Sequence, residues 1–245
     1  MESALTGEGV VTYMARAPGL SFEHVRLAEN GRHDVCLCSE RPEELVLNVT
    51  TSCSTVQEAL DMSVIVASYV LDDLSLCLRK AISGPERTGF CFKKAPAEVG
   101  SSGQYTVQSS LTSAYKAESL PVTLTSSKTL SLLASLPTAD TTRKVRRHLY
   151  RATLNIEEPL ARFVLLYSVL LLVCGDSQKK VDDCICRLRP ETRPYEARNS
   201  HRKTVFTRLR NKLVHGRPDW SIESLVHEAN TLLPDFVEIV AEAIR

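Results

Sequence analysis

The 245-residue chain lacks any long apolar run. Its most apolar stretch, "FVLLYSVLLLVC" from Phe163 to Cys174, is too short to span a bilayer. Arg162 and Asp176 flank it, so a buried core helix is expected and no membrane contact. No N-terminal apolar run resembles a signal peptide, so a cytoplasmic protein is expected. The phosphate-cradling patterns G-x-x-x-x-G-K-[ST] and G-x-G-x-x-G are missing, and nothing points to an NTPase or a dinucleotide enzyme. The nucleophile elbow G-x-S-x-G is missing too. Cysteine is not scarce, with eight residues, but no framework spacing joins them. Cys36 and Cys38, and Cys184 and Cys186, form C-x-C pairs rather than the C-x2-4-C spacing of structural zinc sites. Reduced thiols are the expectation, with no metal and no cofactor. "NVT" at Asn48 matches a glycosylation acceptor, and without a secretory route it reads as chance.

What is present is ordinary for a globular chain, with 43% apolar and 24% charged residues. The net charge of +1 conceals an asymmetry. Residues 1–138 hold 11 basic and 15 acidic side chains, a balance of −4; residues 139–245 hold 19 and 14, a balance of +5. A basic half beside an acidic one suggests that the C-terminal half meets something anionic, though a solvated basic face gives the same count.

The pattern predicts an α+β protein with a mixed strand and helix region over 1–125 and an all-α helical bundle over 126–245. "GVVTYMA", "SFEHVRL", "DVCLCS" and "ELVLNVT" read as strands separated by turn signals. A long helix follows, with Thr55 as N-cap, Glu58 completing a capping box, and Gly84-Pro85 as the stop. Leu60, Val64, Ala67, Leu71, Leu74 and Leu78 fall at helical spacing along it. "TGFCFKKA" and "LPVTLT" read as further strands, and the Gly/Ser-rich "EVGSSGQYTVQSS" as a loop. From Ser126 onward one helix follows another. Val145 and Leu149 are the expected apolar stripe of "TADTTRKVRRHLYRAT". Asn155 is the expected N-cap of the apolar helix that ends at Gly175. No internal repeat is visible.

The chemistry gathers in "RLRNKLVHGRP", Arg208 to Pro218. On a helical wheel Val205, Phe206, Leu209 and Leu213 share the arc expected to face the core. Thr207, Arg210, Asn211, Val214 and His215 fall opposite. A His exchanges protons near neutral pH, an Arg holds a phosphate oxygen, and an Asn orients either partner. One helix supplies only one His, so paired acid and base need a second copy. The plain alternative is that Arg and His near a helix C-terminus simply favour the dipole.

Arg210-Asn211, three intervening residues and His215 resemble the Arg-polar-x-x-x-His motif of the HEPN superfamily (higher eukaryotes and prokaryotes nucleotide-binding domains). "ARFVLLYSVLLLV" followed by "FTRLRNKLVHGRPDW" is more specifically similar to the prokaryotic MauJ-type group, related to ApeA-like HEPN proteins. The resemblance covers roughly 126–245. It implies a small helical bundle, a homodimer with a composite site, and metal-independent RNA cleavage in a defence or toxin–antitoxin setting. It also implies Arg210, Asn211 and His215 as site residues, with RNA as partner. An inhibitory protein partner is a further expectation. A non-catalytic dimerisation or ligand-binding module is the alternative.

Weaker features complete the reading. Arg143, Arg146 and Arg147 in "RKVRRHLYR", with Arg208 and Lys212, are candidate RNA phosphate contacts. For the first three, a solvated amphipathic face is the preferred reading. Asp72-Asp73 and Asp182-Asp183 read as carboxylates on solvated helix faces, without a catalytic role. His24, His33, His201 and His227 show no visible partners in the sequence.

Overall fold

Side chains that alternate in and out make the first half of the chain a sheet. In the computed structural model, the described residues are 7–29, 33–94, 122–136, 140–192, 195–196, 202–215 and 220–245. The chain divides into two units, one of residues up to Leu74 with Lys80–Leu136, the other of Ser75–Arg79 with Pro137–Arg245. The whole is a mixed α+β protein with strands first and helices after.

The first unit is built on a five-stranded antiparallel sheet. Its strands are β1 (Gly7–Arg16), β3 (Val25–Glu29), β4 (His33–Arg41), β5 (Glu44–Cys53) and β6 (Glu86–Lys94), in the order β3-β4-β5-β1-β6. Strand β1 alternates along its length and buries Val11, Tyr13 and Ala15; β5 buries Leu45, Leu47 and Val49 in the same rhythm. The short strand β2 (Leu20–Phe22) pairs in parallel with β7 (Val122–Leu124). "SFEHVRL" is thus two strands, split at Glu23 and His24.

Helix α1 (Val56–Leu78) lies on this sheet up to Leu74. Its capping box forms as expected: Thr55 Oγ1 accepts the Glu58 N–H at 3.1 Å, and the Glu58 carboxylate accepts the Ser54 N–H at 2.7 Å. Tyr13 shares a 2.8 Å hydrogen bond with Ser63 of the helix. Gly9 is needed for the close approach, since a Cβ there would meet Ala59 Cβ at 3.3 Å and Phe90 at 3.1 Å. The helix stops before Gly84-Pro85, because Arg79 already takes a left-handed φ of 54°. Val64, expected inside, is exposed.

Helix α2 (Ser126–Ala134) belongs to this first unit, which corrects the expected boundary at 125/126. The reason is local. Ser126 donates its N–H to Glu23 at 3.0 Å and its hydroxyl to the His24 carbonyl at 2.7 Å, fastening the helix start to the β2–β3 corner. The Gly/Ser-rich "EVGSSGQYTVQSS" lies outside the described residues.

The second unit holds α3 (Thr141–Leu154), α4 (Pro159–Val173), α5 (Gln178–Leu188), α6 (Val205–His215) and α7 (Ile222–Ile244). A two-stranded ladder of β8 (Tyr195–Glu196) and β9 (Arg202–Lys203) interrupts what was expected to be all-α. Phe236 of α7 centres the core, stacked 4.9 Å from Phe163 of α4 and 4.9 Å from Phe206 of α6. Tyr167 leans on the same ring at 6.2 Å. Around this core, Arg189 bonds Glu242 at 3.0 Å and Glu238 at 3.1 Å, joining the end of α5 to α7.

Two sequence expectations are corrected here. Glu158, not Asn155, caps α4, accepting the Leu160 and Ala161 N–H groups. Pro159 stands at the first helical position, where its fixed φ suits and its missing N–H costs nothing. Asn155 instead caps the end of α3, donating to the Arg151 carbonyl at 2.8 Å. The stripe of α3 is also different. Val145 is 53% exposed, and the buried face consists of Arg147, Tyr150, Arg151, Thr153 and Leu154. Among the described residues no single helix is long and apolar enough to cross a membrane.

Candidate functional site

Helix α6 carries the motif, and its first turn is fixed from outside. Thr204, fully buried, precedes the helix and accepts the Thr207 N–H at 3.3 Å through Oγ1. Thr204 is itself held by Asp182 of α5. One carboxylate oxygen accepts both the Thr204 N–H at 2.9 Å and its hydroxyl at 2.8 Å. Asp182 is 6% exposed, so it is a buried structural acceptor and not the solvated carboxylate expected from the Asp182-Asp183 doublet. Asp72 of the other doublet is buried as well.

One turn on, Thr207 is fully buried and shares a 2.8 Å hydrogen bond with the Tyr167 hydroxyl of α4. The wheel had placed Thr207 on the outer arc, and the structure moves it inside. Burial pushes the Tyr167 hydroxyl pKa up, while the bond to Thr207 opposes that shift. Of the expected core arc, Phe206 and Leu209 are buried, and Val205 and Leu213 are half-buried.

Above this network lie the motif residues. Arg210 sits over the Tyr167 ring, its guanidinium carbon 5.7 Å from the centroid. Its NH1 donates to Asn211 Oδ1 at 3.1 Å, and Gln178 Nε2 donates to the same oxygen at 3.2 Å. Arginine has no acceptor, which fixes the orientation of the Asn211 amide. With its oxygen taken, Asn211 has only N–H groups left for a ligand. Arg210 and Asn211 together therefore offer donors alone, the chemistry that suits an anion. His215, in the last turn, is exposed. Gly216 and Pro218, the expected helix stop, lie outside the described residues.

The candidate RNA contacts divide. Arg208 and Lys212 both reach Glu228 of α7, at 3.0 and 2.6 Å, and Lys212 also lies 5.8 Å from the Trp220 ring centroid. Burial raises the Glu228 carboxyl pKa, but the bonds from Lys212 and Arg208 outweigh it, and the net shift is downward. One acidic group thus offsets part of this basic strip. On α3, Arg147 is buried at 3% exposure, which removes it from any RNA surface. Its place on the inward face, beside Tyr150 and Arg151, is the reason. Arg146 is half-buried and donates to the Leu172 carbonyl at 3.1 Å, a cation closing the C-terminus of α4. Arg143 is half-buried near the Asp140 cap.

Sequence reasoning missed Gln178, Asp182, Tyr167 and Thr204, the groups that orient the motif. A signal existed for Asp182, which lies at the edge of the apolar arc, three residues before the buried Ile185. Among the described residues no cluster of three or more His, Cys, Asp or Glu side chains is placed to hold a metal. No protein-family model matches the chain, no curated protein is detectably similar to it, and no solved structure matches its fold.

Proposed function

We propose that the helical unit is a metal-independent RNA-cleaving module of HEPN type, acting in a defence or toxin–antitoxin setting and assembled as a homodimer. The observation that carries this reading is the donor-only pair Arg210 and Asn211, held by Gln178 and Tyr167, with His215 exposed at the end of the same helix. Arg210 would bind a phosphate oxygen and offset the charge that grows on it during attack. Asn211 would position the scissile group. His215 would take the proton from the ribose 2′-hydroxyl or give one to the departing 5′-oxygen. The two tasks fall to the His215 residues of two copies. The attacking group belongs to the RNA itself, so the product ends in a 2′,3′-cyclic phosphate.

A second reading has its own observation. Arg210 is already engaged on an aromatic ring and on Asn211, as a structural arginine is. On that reading the unit is a non-catalytic dimerisation or ligand-binding module. The test incubates wild type and a folded His215→Ala variant with a cellular RNA pool in EDTA. Cleavage by wild type alone, leaving cyclic-phosphate ends, supports the enzyme. Intact RNA in both tubes, from a confirmed dimer freed of any copurifying protein, refutes it and leaves the binding module.

A further inference from the structure

The second unit holds one cluster of reactive side chains that the reading above does not use, at the α4–α5 turn. Cys174 ends α4, and Cys184 sits on α5 ten positions later. Cys184 is near enough to Cys174 to help raise the pKa of that thiol, after burial. Both line an open pocket of about 580 Å³ together with Lys180, Asp183 and Arg187. Arg187 NH2 points at the Cys184 sulfur from 3.7 Å. A guanidinium donor is thus aimed at the Cys184 sulfur. A cation beside a cysteine is the usual setting of a nucleophilic sulfur.

We propose that Cys174 and Cys184 form a reversible disulfide site, oxidised by a small peroxide that enters the pocket. Cys184, which the Arg187 guanidinium faces, is the attacking sulfur and Cys174 the resolving thiol. In the first step the Cys184 thiolate attacks one peroxide oxygen, the O–O bond breaks, and hydroxide leaves as Cys184 becomes a sulfenic acid. In the second step the Cys174 sulfur attacks the sulfenic sulfur, the S–O bond breaks, and water leaves with the Cys174 proton. The two thiols lose two electrons together and the peroxide gains them. A dithiol reductant reverses the bond by exchange. The division of roles follows from the contacts. Burial, then the Cys184 charge and the bond to it, push the Cys174 thiol up to about 11, so Cys174 keeps its proton until a sulfenic acid forms beside it.

The site differs from the other cysteines. Cys91 is exposed; Cys184 is buried like Cys53 and Cys77, but of these three only Cys184 lines the pocket. Burial pushes the Cys53 and Cys38 thiols up as well. Neither Cys53 nor Cys38 lines this pocket. Exposure alone would favour Cys91; pairing and cationic surroundings favour Cys184.

The experiment treats the full-length native protein with hydrogen peroxide, blocks the remaining thiols by alkylation, and maps the peptides by mass spectrometry. The expected result is a 174–184 linkage that forms before any other pairing and disappears on dithiothreitol treatment. A Cys174→Ser variant should leave Cys184 as a sulfenic acid that dimedone captures. A Cys184→Ser variant should lose both the linkage and the dimedone adduct at this site. Arg187→Gln should slow the linkage while preserving the fold. The proposal is overturned if Cys91 is oxidised while the 174–184 pair remains fully alkylatable in the native wild type, or if the pair links only after denaturation. Neither result depends on whether the protein cleaves RNA.

Discussion

The cleanest test of how α6 is held is the substitution Asp182→Ala. The carboxylate accepts two hydrogen bonds from Thr204, at 2.9 and 2.8 Å, and both partners are buried. Removing it strands a backbone N–H and a hydroxyl. Each bond to a charged acceptor contributes about 1.5–3 kcal/mol net, and relief of the buried charge offsets part of the sum, so a loss of about 3 kcal/mol is expected. Asp182→Asn retains an acceptor oxygen at nearly the same volume, and its cost should be about 1 kcal/mol. Urea unfolding at neutral pH measures both, with helical circular dichroism and the fluorescence of the single Trp220 as probes. At a slope of about 2 kcal/mol per molar urea, the alanine midpoint falls by about 1.5 M and the asparagine midpoint by about 0.5 M. A double-mutant cycle with Thr204→Ala should show strong non-additivity, since both changes delete the same bond. Equal losses for alanine and asparagine, or an additive cycle, would refute the argument that a shared acceptor seats the site helix.

Two further perturbations probe the same unit. Phe236→Ala removes the ring that Phe163 and Phe206 stack on and should cost about 3–5 kcal/mol by urea unfolding; a loss below about 1 kcal/mol would mean that the core closes without it. The hydrogen bond from Arg189 holds the Glu242 carboxyl below its ordinary value. A depressed carboxyl adds stability above its unfolded pKa of about 4.3, and that share is lost as pH falls through the lower folded value. Wild type should therefore lose more stability than Arg189→Met between about pH 5 and about pH 3. The difference should stay below about 1 kcal/mol because the pair is partly exposed. Parallel thermal-unfolding profiles for the two proteins would sink this assignment.

Strands and helices were legible because periodicity is local. Val11, Tyr13 and Ala15 alternate with half-buried neighbours in the sequence as they do in β1. The capping box at Thr55 and Glu58 could be read because its partners lie within four residues. What failed was long-range. The boundary at 125/126 missed that Ser126 is fastened to Glu23 and His24, a contact across more than a hundred positions that no window of sequence contains. The α4 cap failed for a local reason instead. Asn155 outranks Glu158 on cap preference, yet Pro159 fixes where the first turn starts.

At the candidate site the motif was visible and its setting was not. Arg210, Asn211 and His215 could be named from one short stretch, because one helix presents them. Nothing in that stretch says that Asn211 turns its oxygen toward Gln178, or that Arg210 lies on Tyr167. Both depend on α4 and α5. Asp182 shows how more could have been read. Asp182 stands three residues before Ile185, at the edge of the buried arc of α5, where a carboxylate that turns inward needs a buried donor. The same logic applies to Arg147 and Arg151, in step with Tyr150 and Leu154 on the inward face of α3. A charge in phase with an apolar stripe is thus more informative than a charge cluster. The cluster "RKVRRHLYR" invited an RNA surface, whereas its phase put two of its arginines inside. Arg208 and Lys212 of α6 already bond Glu228, and Arg147 and Arg151 of α3 are buried, so the basic count of this half overstates the charge it offers to an anion.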